Sequence, residues 1–301
     1  MKNRTELFEN APVWKAYFTI SLPVVFSMVV TLVYNMVDTF FVAGTQNASL
    51  VAGVSQCTPL FMLMLALGDI FGLGGSSLIS RLFGQKDDET ARNVSGFCFY
   101  AAIVCGLIVT VLMFAFQGPV LRVLGATSDT LKYASQYYFW IALGAPLIIL
   151  SLTPSNIIRT EGLAMQSMIA SVAGSILNIV LDPIFIFTLG MGAGGAALAT
   201  VLSYVLSDVL LVCYILRKSR HLTVSIRHAR VARKFVTSVF VIGIPASLTN
   251  LMQSYNIMVL NRHLISYGPK AVAAMGITMK VNMIIMMILV GFAFGAQPLI
   301  G

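Results

Sequence analysis

Apolar residues in this chain come in long unbroken runs instead of alternating with polar ones. FVIGIPASLTNLMQSYNIMVL, for example, is apolar on most faces of a helix. Runs of about 20 residues or more, enough to cross a bilayer as a helix, extend approximately over 17 to 43, 51 to 80, 94 to 116, 133 to 155, 167 to 189, 195 to 216, 236 to 261 and 271 to 301. They predict eight transmembrane helices. Barrel strands would be short and alternating, which these runs are not. The predicted fold class is an all-α, polytopic membrane bundle. Composition agrees: 58% of residues are apolar, 10% are charged and the mean hydropathy is +0.89, where a soluble domain carries roughly 25% charged residues.

The formal net charge of +8 would suit nucleic acid if it were spread over a surface, but its distribution follows the membrane. With the N-terminus on the cytoplasmic side, the inner segments hold Lys2, Arg4, Lys15, Arg81, Lys86, Arg92, Arg159, Arg217, Lys218, Arg220, Arg227, Arg230, Arg233 and Lys234. The outer segments hold Arg122, Lys132, Arg262 and Lys270, and Lys280 falls within a span. This asymmetry is the positive-inside rule. The reading is a multi-pass plasma or inner membrane protein with a cytoplasmic N-terminus and no nucleic-acid partner. MKNRTELFEN lacks the apolar core and small-residue cleavage site of a signal peptide. Cys57, Cys98, Cys105 and Cys213 show no metal or redox spacing and read as packing residues.

The opening of the first span returns in the seventh. FTISLPVVFSMVV aligns with FVIGIPASLTNLM, which puts Pro23 over Pro245 at an offset of 222. At an offset of 221, Val51 and Ala52 meet Val272 and Ala273, Phe71 meets Phe292, and Gly74 meets Gly295. Both copies run inside to outside, so the repeats are parallel, six spans each, as in many secondary transporters. The predicted organisation is a complete six-helix lobe over 1–217, a basic cytoplasmic linker over 218–235, and the first two helices of a second, repeat-related lobe over 236–301. Gly301 pairs with Ser80, just ahead of where another RLFGQ loop is expected, so the sequence reads as shortened, without spans 9 to 12. The linker's basic residues also suit anionic lipid headgroups, at about 1 kcal/mol each near the surface.

Polar residues inside the spans then carry the chemistry, because a charge in hydrocarbon costs roughly 2.5 to 3.5 kcal/mol even on lenient scales. Asp38 in span 1, Asp182 in span 5 and Thr200 in span 6 lie at similar depth, roughly 8 to 11 Å below the outer surface at 1.5 Å per residue. Asn178 precedes Asp182 by four positions and Asn35 precedes Asp38 by three, so each acid has an amide on its own helix face. Two carboxylates, an amide and a hydroxyl are hard oxygen donors for Na⁺, or a proton site. Asp69 and Asp208 lie deeper, toward the cytoplasm, and are read as possible cavity or relay residues together with Asn35, Gln253 and Lys280. Pro23, Pro183 and Pro245 interrupt spans and are candidate hinges; Pro183 directly follows Asp182 and frees a backbone carbonyl beside it. GLGGSS (72–77) and GAGGAALAT (192–200) read as close helix contacts.

VDTFFVAG, ISRLFGQKDDETARN, IIRTEG and NIVLDPIFIF followed by GAALAT together resemble the bacterial multidrug and toxic compound extrusion (MATE) family, along nearly the whole chain. The resemblance implies two six-helix lobes alternating access around a central cavity. It also implies an N-lobe cation site, with Asp38, Asn178, Asp182 and Thr200 at the matching positions. Where some branches carry a span 7 Glu, this chain has Gln253, which counts against a second cation site there. The expected activity is secondary antiport: export of amphipathic, often cationic compounds in exchange for Na⁺ or H⁺, with no other cofactor, by a monomer surrounded by lipid. The alternatives are a flippase for lipid-linked precursors, which would want a more basic cavity, and a non-functional fragment. An enzyme would need a nucleophile, metal or paired-acid motif, and His221, His228 and His263 supply none.

Overall fold

A computed structural model of the chain describes residues 12–264 and, beyond them, 278, 282, 284–293 and 296, without the side chains of 13, 250, 251, 253, 254 and 256–264. Every regular element among the described residues is helical, the arrangement that satisfies backbone groups within each segment where water is absent. In chain order these are α1 (Val13–Gly44), α2 (Ala48–Gln56), α3 (Thr58–Gly84), α4 (Asp88–Ala115), α5 (Gln117–Val123), α6 (Leu131–Thr160), α7 (Ala164–Pro183), α8 (Gly192–Lys218) and α9 (Arg233–Leu264). Six stretches, Trp14–Gly44, Ala48–Gly84, Asp88–Ala115, Leu131–Thr160, Ala164–Thr188 and Gly192–Lys218, are long and apolar enough to cross a membrane. They coincide with the first six predicted spans. The second is broken between α2 and α3, where Pro59 sits in the first turn of the new helix, a place where its missing N–H costs nothing. The seventh span is covered by α9, and of the eighth a helix over Ile284–Ala293 is described.

The centre of the bundle is α6. Its apolar residues occupy all sides, the pattern of a helix buried all round, and 72% of its most apolar stretch is buried against 22% for α4. It packs on α2, α3, α4 and α8, while α1 lies mainly along α7. Two hydrogen bonds join α4 and α6: Tyr138 on α6 donates to Met113 O on α4 at 2.6 Å, and Thr110 on α4 donates to Ala142 O at 2.8 Å. Phe18, Phe26, Phe40, Val104, Ile108 and Val111 stay exposed, as expected of faces turned to lipid. Cys57 and Cys98 are packing residues as predicted, whereas Cys213 is exposed.

The connection between α8 and α9 lies strapped to the basic end of the bundle. Gly162, with φ +73, ends α6 in a left-handed turn closed by Leu163 N–H donating to Ile158 O at 3.3 Å. That turn presents Glu161, whose Oε1 accepts from Ser219 Oγ at 2.9 Å, His221 N at 2.8 Å and Leu222 N at 3.2 Å. Farther along, Tyr100 of α4 donates to Val224 O at 2.9 Å, Ser95 to Thr223 O at 3.1 Å, and Arg92 to Arg220 O at 3.0 Å. The strap's backbone is therefore tied to two helices of the bundle, which a slack tether would not be.

The strap lies against the start of α4, and that start is acid-dependent. Asp87 caps α4 by accepting from Thr90 N at 3.1 Å. Hydrogen bonds from Thr90, side chain and then backbone, hold the Asp87 carboxyl below its ordinary value. A depressed folded value means stabilisation present above the unfolded carboxylate range and lost as pH falls through the folded one. Amides in the first turn of α4 are expected to lose protection, measured against their intrinsic exchange rates, as pH drops below the carboxylate range, and Asp87→Ala to remove that dependence. Hydrogen exchange at residues 88–91 checks both.

Candidate cation site

Three helices meet at Asp182. It projects from the last turn of α7, where Pro183 has no N–H to continue the ladder. The chain widens into a π turn over Ile184–Thr188, closed by Leu189 N–H to Ile184 O at 2.8 Å. The following glycines reverse it: Gly190 and Gly192 take φ of +64 and +54. Gly195 lets α8 settle against the π turn, since a Cβ there would lie 2.8 Å from Phe185 O. The reversal lays α8 back along α7 and sets Thr200 beside Asn178. On the other side, α1 packs along α7 and brings Asp38.

Asn178 and Asp182 are fully buried, and Thr200 is 4% exposed. The i, i+4 spacing puts Asn178 and Asp182 on one face. With its nitrogen turned to the acid, the Asn178 amide donates to Asp182 Oδ2 at 2.9 Å and accepts from Thr200 N–H at 3.2 Å; the opposite orientation sets like atoms against like. The carboxyl groups of Asp38 and Asp182 lie within hydrogen-bonding reach of each other. Yet Asp38 Oδ1 and Asp182 Oδ1 are each buried with no hydrogen-bond partner among the described residues. Two carboxyls so placed are costly unless a cation or a proton meets them. All four residues singled out from the sequence therefore converge.

Asp38 also lines a cavity of about 210 Å³, bounded by residues of α1, α2, α3, α6 and α8. Asp182 stands behind it, so Asp38 is the member of the pair that faces open space. Tyr34 and Tyr137 share the cavity wall with Thr200. Neither tyrosine was singled out from the sequence; the available signal was the four-residue spacing of Tyr34 and Asp38. Asn35 stands on the same cavity wall. Its amide donates to Thr31 O at 2.9 Å and serves the helix backbone, not Asp38. The Thr200 hydroxyl likewise donates to Ala196 O at 3.0 Å, leaving an oxygen lone pair as what it offers a cation.

Other predicted residues lie apart from this cluster. Asp69 is half-buried on α3 and does not line the cavity; Asp208 is buried on α8. The Gln253 side chain and all of Lys280 fall outside the described residues. Of the candidate hinges, Pro23 is buried within α1, Pro183 ends α7 and Pro245 is exposed within α9. Arg159, one of the two basic residues nearest Asp182 in sequence, is 7% exposed and spends its guanidinium on Ser167 at 3.1 Å, Ser155 at 3.3 Å and Asn156 at 3.4 Å.

The sequence model of the family MatE matches residues 23–184 and 245–301, two stretches that open on Pro23 and Pro245, the prolines the internal repeat superposes. The chain belongs to the MatE family. Multidrug export protein MepA of Staphylococcus aureus is 34% identical over 97% of this chain and 65% of that protein, and MepA of Staphylococcus haemolyticus is 32% identical over the same shares. Among solved structures, a MATE in complex with MaL6 superposes at a TM-score of 0.93, with 31% identity over 99% of this chain and 66% of that one. A MOP superfamily transporter from Pyrococcus furiosus superposes at 0.90, with 31% identity over 98% and 66%. This MatE chain thus spans about 65% of the length of the curated relatives it matches, and its fold is theirs over that span.

Proposed function

We propose that this chain supplies the ion-coupling lobe of a secondary antiporter, which exports amphipathic, cationic compounds while Na⁺ or H⁺ moves inward. The observation that carries the reading is the meeting of Asp38 and Asp182 with Asn178 and Thr200, each acid keeping one buried oxygen without a partner. The donor set suits a small hard cation: two carboxylates, a hydroxyl lone pair and an amide whose orientation Thr200 N–H fixes. It suits a proton equally, shared between two facing carboxyls. In this reading the N-terminus is cytoplasmic, and ions reach the site from outside by way of Asp38. Occupancy removes the repulsion between the two acids, and so favours whichever access state brings them closest. A ligand drives the cycle only through such a difference in affinity between states. Export of multidrug type is a property of the MepA relatives by name. The cavity wall, which among the described residues includes Asp38 and no Lys or Arg, favours cationic substrates over an anionic lipid-linked precursor.

The test is accumulation of a fluorescent lipophilic cation by everted vesicles carrying the transporter that contains this chain, with Na⁺ and H⁺ gradients imposed separately. Accumulation is expected under one of them and collapse on its dissipation. Accumulation indifferent to both would overturn the proposal.

A further inference from the structure

The coupling scheme leaves one buried acid unused. Asp208 lies on α8 eight residues past Thr200, two helical turns or roughly 12 Å closer to the basic end of the bundle. It is 4% exposed, and both of its carboxyl oxygens are buried with no hydrogen-bond partner among the described residues. The hydroxyls near it on α8 are committed elsewhere: Ser207 donates to Ala170 O at 2.8 Å and Ser203 to Thr200 O at 2.6 Å.

Among the described residues, the charged and titratable groups of the surrounding helices do not neutralise it. Tyr204, one turn away on α8, is within electrostatic reach. Arg159 of α6 is engaged with Ser155, Asn156 and Ser167. Asp182 of α7 and Asp38 of α1 face each other at the shallower level. An ionised carboxylate here would be an unpaired charge in a packed interior, which costs several kcal/mol. A metal cation would need several oxygen ligands, and no group of three acidic, histidine or cysteine side chains gathers here among the described residues. A proton needs none of them. It converts the group into an O–H donor that a backbone carbonyl one turn back along the helix can accept.

We propose that Asp208 is a second proton-binding carboxyl of this chain, separate from the Asp38 and Asp182 pair and on its cytoplasmic side. Tyr204, and Tyr34 within electrostatic reach of it, stand in the interval between the two depths. The assignment does not depend on which ion the outer pair carries.

The experiment is infrared spectroscopy of the full chain in lipid vesicles, with side-chain ¹³C-labelled aspartate, titrated from mildly alkaline to mildly acidic buffer. A protonated-carboxyl band carrying the isotope shift is expected in the parent chain, retained in the Asp38→Asn, Asp182→Asn double variant and lost when Asp208→Asn is added to that double variant. In the same double-variant background, Asp208→Glu should replace the shifted band with one that lacks the isotope shift, because glutamate is unlabelled; this decides the question even if the Asp208→Asn protein does not fold. Persistence of the shifted band in the Glu or Asn variant, or its absence from the parent chain at every pH, would overturn the proposal. Loss of a band in the outer-pair variant alone would instead bear on the coupling site.

Discussion

Replacing Asp38 or Asp182 by asparagine is expected to abolish gradient-driven export while leaving the bundle folded. Asparagine keeps the volume and one carbonyl oxygen. In Asp182→Asn, the bond that Asn178 makes to Asp182 Oδ2 at 2.9 Å can be kept by the new amide oxygen, so the α7–α8 contact survives. What disappears is the negative charge that a buried cation needs. Loss of one carboxylate should weaken cation binding by about 100-fold or more, equivalent to roughly 2.8 kcal/mol. The same change relieves the repulsion between two facing acids, so thermal stability of the purified protein should hold or rise as transport is lost. That opposition separates a functional site from a structural one: a pair whose task is to join α1 to α7 would lose stability and transport together. Asn178→Ala should be milder on binding but should lower stability, because it leaves Thr200 N–H and Asp182 Oδ2 without their shared partner. Parallel measurements of cation-dependent melting and vesicle transport check all three. Export that still follows the ion gradient in the Asp38→Asn, Asp182→Asn double variant would remove the assignment.

The depth of the two acids was legible because a helix advances by a fixed rise per residue, so the position of Asp38, Asp182 and Thr200 within their spans became a height in the membrane. The spacing of Asn178 and Asp182 was legible for the same reason. Asn35 shows where that logic stops. Sharing a helix face with Asp38 says nothing about which partner an amide chooses, and the second lone pair of the Thr31 carbonyl, one turn back, takes it. Tyr34 and Tyr137 were hidden because an aromatic ring in an apolar run looks like packing, and only the hydroxyl at its tip belongs to the site. The strap was hidden because Glu161 gathers mostly backbone donors, which leave no residue pattern. A charge count over the linker registers its basic side chains but not the ties that hold its main chain. The lobe division drawn from the repeat rests on aligned positions such as Pro23 and Pro245.

The second large effect expected is at the glycines of GLGGSS, where successive residues open different seams. A Cβ on Gly72 would stand 2.7 Å from Leu152 O of α6, and one on Gly75 would stand 2.7 Å from the Cys98 sulfur of α4. On Gly74 it would run into Val239 O of α9 and stand 3.2 Å from the Cα of Gly243, which in turn leaves no room for a Cβ against Ile70 O. Two glycines thus face each other where α3 crosses α9, and backbone carbonyls cannot yield as a flexible side-chain tip can. Overpacking of this kind costs about 1 to 3 kcal/mol. Its consequence depends on the seam. Gly72→Val should push α3 off the central helix and lower the melting temperature of the whole bundle. Gly74→Val or Gly243→Val should leave the α3–α6 packing intact and displace α9, so that transport fails in a protein that still melts near the parent temperature. Phe71 and Phe240 report on that crossing, since their ring centroids lie 5.8 Å apart. A Phe71→Cys, Phe240→Cys pair should cross-link readily in the parent background and poorly once valine stands at 74 or 243. Undiminished cross-linking together with full export in Gly74→Val would mean that α3 and α9 do not need this close crossing. The glycines there would then be filling space that a larger residue can share.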